Sequence, residues 1–131
     1  MPNNAISILI VDDEEPYREV LNHLLIAAGY STTLASDGVE AINILQKKSF
    51  DAALLDVQMP RVNGLEVLEF IKDHYLDMQT IMVTAVNDVS IAVKCMQLGA
   101  YTYITKPYNT SELLAVVERA VERKKDRKSV V

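Results

Sequence analysis

The chain has 131 residues, half of them apolar and 24% charged, with a formal net charge of −5 and a single cysteine. That length is one domain with room for a full core, no apolar run approaches the roughly 18 residues of a membrane span, and one cysteine excludes an internal disulfide or a Cys-rich metal site. The acidic balance argues against direct nucleic-acid binding by this domain, and no basic segment precedes the first apolar stretch as a secretory signal requires, so a cytoplasmic protein is expected.

In chain order, Ile6 to Val11 is an apolar run that reads as a first strand and ends on Asp12-Asp13-Glu14-Glu15. Pro16 suits a first helical turn, and Val20, Leu21, Leu24, Leu25 and Ala28 follow at helical spacing before Gly29. Ser31 to Ala35 is short and β-rich. Asp37 stands where it can cap a second helix, with Glu40 placed to reach back and Val39, Ile42 and Leu45 as the expected buried stripe. Ala52 to Leu55 is long enough for a buried strand and too short for a helix; it ends on Asp56, and Met59-Pro60 stops regular structure. Gly64 opens a third helix carrying Leu65, Leu68 and Ile71. Thr80 to Thr84 is a fourth strand, and a helix through Ile91, Ala92, Cys95 and Leu98 follows, with Cys95 read as a small buried hydrophobe. Tyr101 to Thr105 is a fifth strand ended by Lys106-Pro107, and Asn109 and Glu112 cap a last helix with Leu113, Val117, Ala120 and Val121 inward.

Five strands alternating with five helices, the strands apolar on both faces, imply an α/β fold: a parallel sheet covered on both sides. Ligand sites in such sheets lie beyond the carboxyl ends of the strands, at the switch point. There this chain places Asp12-Asp13, Asp56, Thr84 and Lys106. Two carboxylates about 4 Å apart repel by around 4 kcal/mol at an effective dielectric near 20, and a small, partly hydrated Mg²⁺ relieves that repulsion with oxygen ligands. Lys106 supplies a point charge and Thr84 a hydroxyl donor for a third oxygen. These parts suit phosphoryl transfer, with Asp56 the candidate nucleophile. A structural ion-pair cluster at the sheet edge is the plainer reading, but it would keep buried like charges with no return in function.

The acidic pair Asp12-Asp13, the Asp56-x-x-Met59-Pro60 run with Gly64, the Thr84-Ala85 pair and Lys106-Pro107 together resemble the receiver domain of two-component response regulators. The resemblance covers about residues 5 to 123. It implies a flavodoxin-like, doubly wound (βα)5 fold with strand order 2-1-3-4-5. It also implies Asp56 as phosphoacceptor, and Mg²⁺ held by Asp12, Asp13, Asp56 and the backbone carbonyl of Gln58. Lys106 would pair with the phosphoryl group, Thr84 would be the switch hydroxyl, Tyr103 the switch aromatic, and Lys106-Pro107 a cis bond. Gln58 and Val86 fall where side chains tune the lifetime of the acyl phosphate. By the same resemblance, a histidine kinase or phosphotransfer protein is the donor. The face made by the fourth helix, fifth strand and fifth helix controls a fused or separate output domain, and a homodimer through that face is allowed. The domain would catalyse only its own phosphorylation and a slow autodephosphorylation, and would not be an enzyme with turnover.

The receiver domain is expected over 1–123. Residues 124–131 carry four basic residues against one acidic, a net +3 that leaves −8 on the rest. They read either as a solvated helix end, where cations favour the dipole, or as the start of a linker to an output domain. Three rival functions are weaker. A haloacid-dehalogenase type of phosphatase needs an acid two residues after its nucleophile, and that position is Gln58. A nucleotide-binding domain needs glycines after the first strand, where this chain has four acids. A pseudo-receiver would lack one of the expected residues, and none is missing.

Overall fold

The computed structural model describes the backbone of residues 5–129 and the side chains of residues 5–123. Strands β1 (Ser7–Val11), β2 (Ser31–Ala35), β3 (Ala52–Leu55), β4 (Gln79–Thr84) and β5 (Thr102–Thr105) alternate with helices α1 (Glu15–Ala27), α2 (Gly38–Leu45), α3 (Gly64–Asp73), α4 (Val89–Gln97) and α5 (Thr110–Ser129). The strands form one parallel sheet in the order β2-β1-β3-β4-β5, the expected doubly wound arrangement. The expected basic tail, 124–131, lies outside the residues whose side chains are described.

Successive strand residues point to opposite faces, so each strand serves two cores. Leu9, Val11, Ala53, Leu55 and Met82 face α2, α3 and α4, where Ala41, Leu45, Val67, Leu68, Ile71 and Cys95 close the layer. Ile8, Ile10, Leu54, Ile81 and Val83 face the other way, onto Leu21 and Leu25 of α1 and Leu113, Val117 and Ala120 of α5. The register sets Ile10 beside both Leu34 and Leu54, and Leu54 beside Ile81. Burial on both faces is why these strands read as unbroken apolar runs.

Two sequence expectations are corrected around α2. Its buried residues are Gly38, Ala41 and Leu45, while Val39 and Ile42 are only half-buried. The close approach at Gly38 sets this rotation: a Cβ there would stand 2.1 Å from the Val62 carbonyl oxygen. Asp37 does cap the helix, accepting from Glu40 N at 2.8 Å. Glu40, however, reaches one residue beyond the cap, to Ser36 N at 2.7 Å. The complete capping box lies instead at α3, where the Asn63 side chain accepts from Glu66 N and the Glu66 side chain from Asn63 N, both at 3.0 Å. α5 opens as expected, with Glu112 N donating to Asn109 at 3.0 Å.

Candidate functional site

The strand order reverses between β1 and β3, and the crevice at their carboxyl ends is the place such sheets offer a ligand. Three side chains are fixed there because the parallel ladder continues one step past the strands. Asp12 N donates to Ala35 O (3.2 Å), Asp56 N to Val11 O (3.0 Å) and Lys106 N to Thr84 O (2.8 Å). The three side chains converge at the crevice, with Asp12, Asp56 and Lys106 all buried.

Lys106 Nζ lies 2.8 Å from Asp12 Oδ2, 3.0 Å from Asp56 Oδ2 and 3.1 Å from Glu14 Oε1. It also stands 4.0 Å from the centroid of the Tyr17 ring, within cation–π range. The second oxygen of each buried carboxylate is held by a backbone amide two residues on: Glu14 N to Asp12 Oδ1 at 2.9 Å and Gln58 N to Asp56 Oδ1 at 3.1 Å. Arg18 Nη1 donates to the Asp12 carbonyl at 2.7 Å. The Lys106-Pro107 bond is cis.

Burial pushes the Asp12 carboxyl above its ordinary range, and Asp56 adds to that, although hydrogen bonds from Lys106 and Glu14 N pull the other way. Burial disfavours the Lys106 ammonium, but its hydrogen bonds to Asp12 and Asp56 outweigh that and raise its pKa. A raised carboxyl favours folding below its unfolded-state pKa, and that contribution is lost as pH rises through the folded-state value. With a chelator present, Asp12→Asn is therefore expected to raise the urea midpoint at neutral pH. The gain should shrink as pH falls into the ordinary carboxylate range. A midpoint lowered at neutral pH would contradict the sign.

One carboxylate oxygen each from Asp12, Asp13 and Asp56 lies within 4.8 Å of the others, with Asp13 exposed. With Glu14 the cluster holds four carboxylates to one ammonium, all the candidate donors are hard oxygens, and Asp13 opens to solvent. This set fits a divalent cation such as Mg²⁺ that keeps some of its water. Gln58, whose carbonyl is the further candidate ligand, lines a cleft of about 470 Å³ together with Asp13, Met59, Asn63 and Ile91.

Thr84 is fully buried, and its hydroxyl oxygen accepts from Val86 N at 3.2 Å. The half-buried Tyr103 donates its hydroxyl to the Val86 carbonyl, and burial raises its pKa, with Cys95, Asp88 and Asp56 contributing. The two candidate switch residues therefore meet on the backbone of Val86, and any inward motion of Tyr103 starts from a ring already packed against the α4 side of the core. Sequence reasoning missed Glu14 and Tyr17, the N-cap and a first-turn residue of α1, which close around Lys106 from the far end of the chain.

Residues 8–118 match the family described as response regulator receiver domain. The response regulator MprA of Mycobacterium bovis is 40% identical over 121 residues, covering 92% of this chain and 53% of that protein. MprA of Mycobacterium tuberculosis shares the same identity and coverage. The chain thus spans about half the length of the curated relatives it matches. Among solved structures, a receiver domain protein from Methanospirillum hungatei superposes with a TM-score of 0.91 at 28% identity, covering 95% of this chain and 99% of that one. NtrX from Brucella abortus superposes with a TM-score of 0.89 at 30% identity, covering 96% of this chain and 29% of that one. With the match over residues 8–118 and the matching fold, this chain belongs to the response regulator receiver domains, the signalling switches of two-component systems.

Proposed function

We propose that this domain accepts a phosphoryl group on Asp56 from a phosphohistidine of a partner kinase or phosphotransfer protein. The observation that carries the reading is the state of Asp56 itself. It is a buried carboxylate at a strand end, paired with Lys106 at 3.0 Å and sharing a cation-sized space with Asp12 and Asp13. A carboxylate oxygen of Asp56 attacks phosphorus, forming an O–P bond as the P–N bond breaks. The imidazole takes the electron pair and leaves neutral when its other nitrogen already carries a proton. Asp12, Asp13, Asp56 and the Gln58 carbonyl would hold Mg²⁺. When bound, the cation supplies charge that neutralises the phosphoryl oxygens. Lys106 offers its ammonium to one of those oxygens and Thr84 its hydroxyl to another.

Thr84 would give up its bond from Val86 N as its hydroxyl turns to the new oxygen. The Val86 peptide, held on its other side by Tyr103, carries that change to the α4–β5–α5 face. Such a face can act on a fused or separate output domain, or pair with a second copy, through a local electrostatic event that biases a two-state element. The domain would bind no nucleic acid itself and would work in the cytoplasm. Among the described residues no helix is long and apolar enough to cross a membrane. It would perform only its own phosphorylation and slow autodephosphorylation.

Incubation with acetyl phosphate and Mg²⁺, followed by intact mass, tests the reading. One added phosphoryl group per chain is expected, falling to background in Asp56→Asn and with a chelator. Continuous Asp56-dependent donor consumption with little adduct would point to a phosphatase instead.

A further inference from the structure

The loop between β3 and α3, residues 57–63, supplies two groups that the candidate site needs. Gln58 N donates to Asp56 Oδ1 at 3.1 Å, and the Gln58 carbonyl is a candidate metal ligand. The base of the loop is closed where Gly64 N donates to Val57 O at 2.9 Å. Its far side is held by α2. Val62 meets Gly38 so closely that a Cβ on the glycine would stand 2.1 Å from the Val62 carbonyl oxygen. Beside it, Arg61 Nη2 lies 2.6 Å from Asp37 Oδ2, while the other Asp37 oxygen accepts from Glu40 N at 2.8 Å. One carboxylate therefore caps α2 and ties down the loop. The bond from Glu40 N, with help from Arg61, holds the Asp37 carboxyl below its ordinary range.

A second feature of Arg61 is independent of that contact. Its backbone φ is 68°, and among the described residues only Arg61 and Tyr75 are non-glycines with positive φ. Side chains with a Cβ adopt this left-handed conformation at a cost, which glycine avoids and asparagine tolerates best of the others. Such a conformation persists only where its surroundings hold it. For Arg61 the holding contact is made by its own side chain, three residues past Gln58. The Asp37 side chain at the other end is only 19% exposed.

We propose that Arg61 is a positioning residue for the metal site: by gripping Asp37 it fixes the 57–63 loop so that the Gln58 peptide stays against Asp56. This rests on the phosphoacceptor and Mg²⁺ reading above and adds a residue from outside the strand-end cluster. Without the grip the loop spends part of its time with Gln58 out of place, and the apparent affinity for the cation falls with the fraction in place. A partly exposed ion pair changes such an equilibrium by up to about fivefold. Bulk charge predicts the opposite sign, since removing a cation from the neighbourhood of clustered carboxylates should tighten Mg²⁺ binding.

The test titrates wild type, Arg61→Asn, Asp37→Ser and the double variant with Mg²⁺, following the Gln58 backbone amide by NMR. Asparagine tolerates the left-handed backbone and serine keeps a cap on α2, so each change removes the ion pair with little else. The Mg²⁺ Kd should rise about two- to threefold in Arg61→Asn. The double variant should bind no more weakly than Asp37→Ser alone, the signature of two residues acting through one contact. In the metal-free proteins, Arg61→Asn should already move the Gln58 amide signal. An Arg61→Asn Kd equal to or below that of wild type would overturn the proposal, as would an unmoved Gln58 signal or effects that multiply in the double variant. Absence of Mg²⁺ binding by wild type would instead defeat the metal reading, and this inference with it.

Discussion

Lys106→Met is expected to lower the unfolding free energy at pH 7, with a chelator present, by about 3–5 kcal/mol. Methionine keeps most of the buried stem, so the loss measures the missing charge more than a cavity. Without the ammonium, Asp12 Oδ2 and Asp56 Oδ2 lose their shared partner at 2.8 and 3.0 Å, and two buried carboxylates confront each other. Breaking a buried ionic cluster from one side leaves uncompensated charge that the surrounding packing cannot solvate. The loss should shrink on acidification, as the stranded carboxylates take up protons. Mg²⁺ should restore part of it, since any ligand that binds only the folded state adds about 2.7 kcal/mol at a hundred times its Kd. Urea melts at two pH values, with and without Mg²⁺, measure all three effects. A variant as stable as wild type at pH 7 would mean that the site is wetter than its burial implies.

Gly64→Ala is expected to cost about 3 kcal/mol, from overpacking against groups that cannot move aside. A Cβ at this position would stand 2.1 Å from the Asp56 carbonyl oxygen, 2.8 Å from its carbonyl carbon and 2.9 Å from the Val57 Cα. All three are backbone atoms of the segment that presents Asp56. Gly64 N also donates to Val57 O at 2.9 Å, so α3 begins pressed against the loop it must leave free. Relief comes by displacing either α3 or Asp56, and a misplacement near 1 Å can lower phosphoryl uptake by about a hundredfold. Thermal melts and the acetyl phosphate assay on the same sample separate the two losses. Wild-type stability and wild-type uptake together would contradict the close approach.

The central strands β1, β3 and β4 were legible because burial on both faces leaves apolar runs, while the edge strands β2 and β5 are half-buried and read from their short β-rich composition. The candidate site stood out because strand ends that should be apolar carry Asp12, Asp56, Thr84 and Lys106. All five strands run within one residue of their expected limits. What escaped depends on packing across long stretches of chain. The rotation of α2 follows from Gly38 meeting Val62 in a loop more than twenty residues away, which no periodicity within the helix encodes. Glu14 and Tyr17 look like an ordinary helix start until the fold brings Lys106 over them. The junction at Val86 also escaped, since it depends on backbone atoms that Thr84 and Tyr103 share. The capping box was different: Asn63-Gly-Leu-Glu66 carries the required spacing in plain view.

The central claim is that Asp56, among the three clustered aspartates, carries the phosphoryl group. Borohydride reduction of the phosphorylated protein converts the acyl phosphate to a homoserine residue, and peptide mapping locates it. Trypsin places Asp56 in the peptide 49–61, which also contains Asp51, and Asp12 and Asp13 within 1–18. Fragmentation of 49–61 is expected to put homoserine at position 56, with 1–18 unmodified. Homoserine at position 12 or 13, or at 51, would contradict the mechanism at its root.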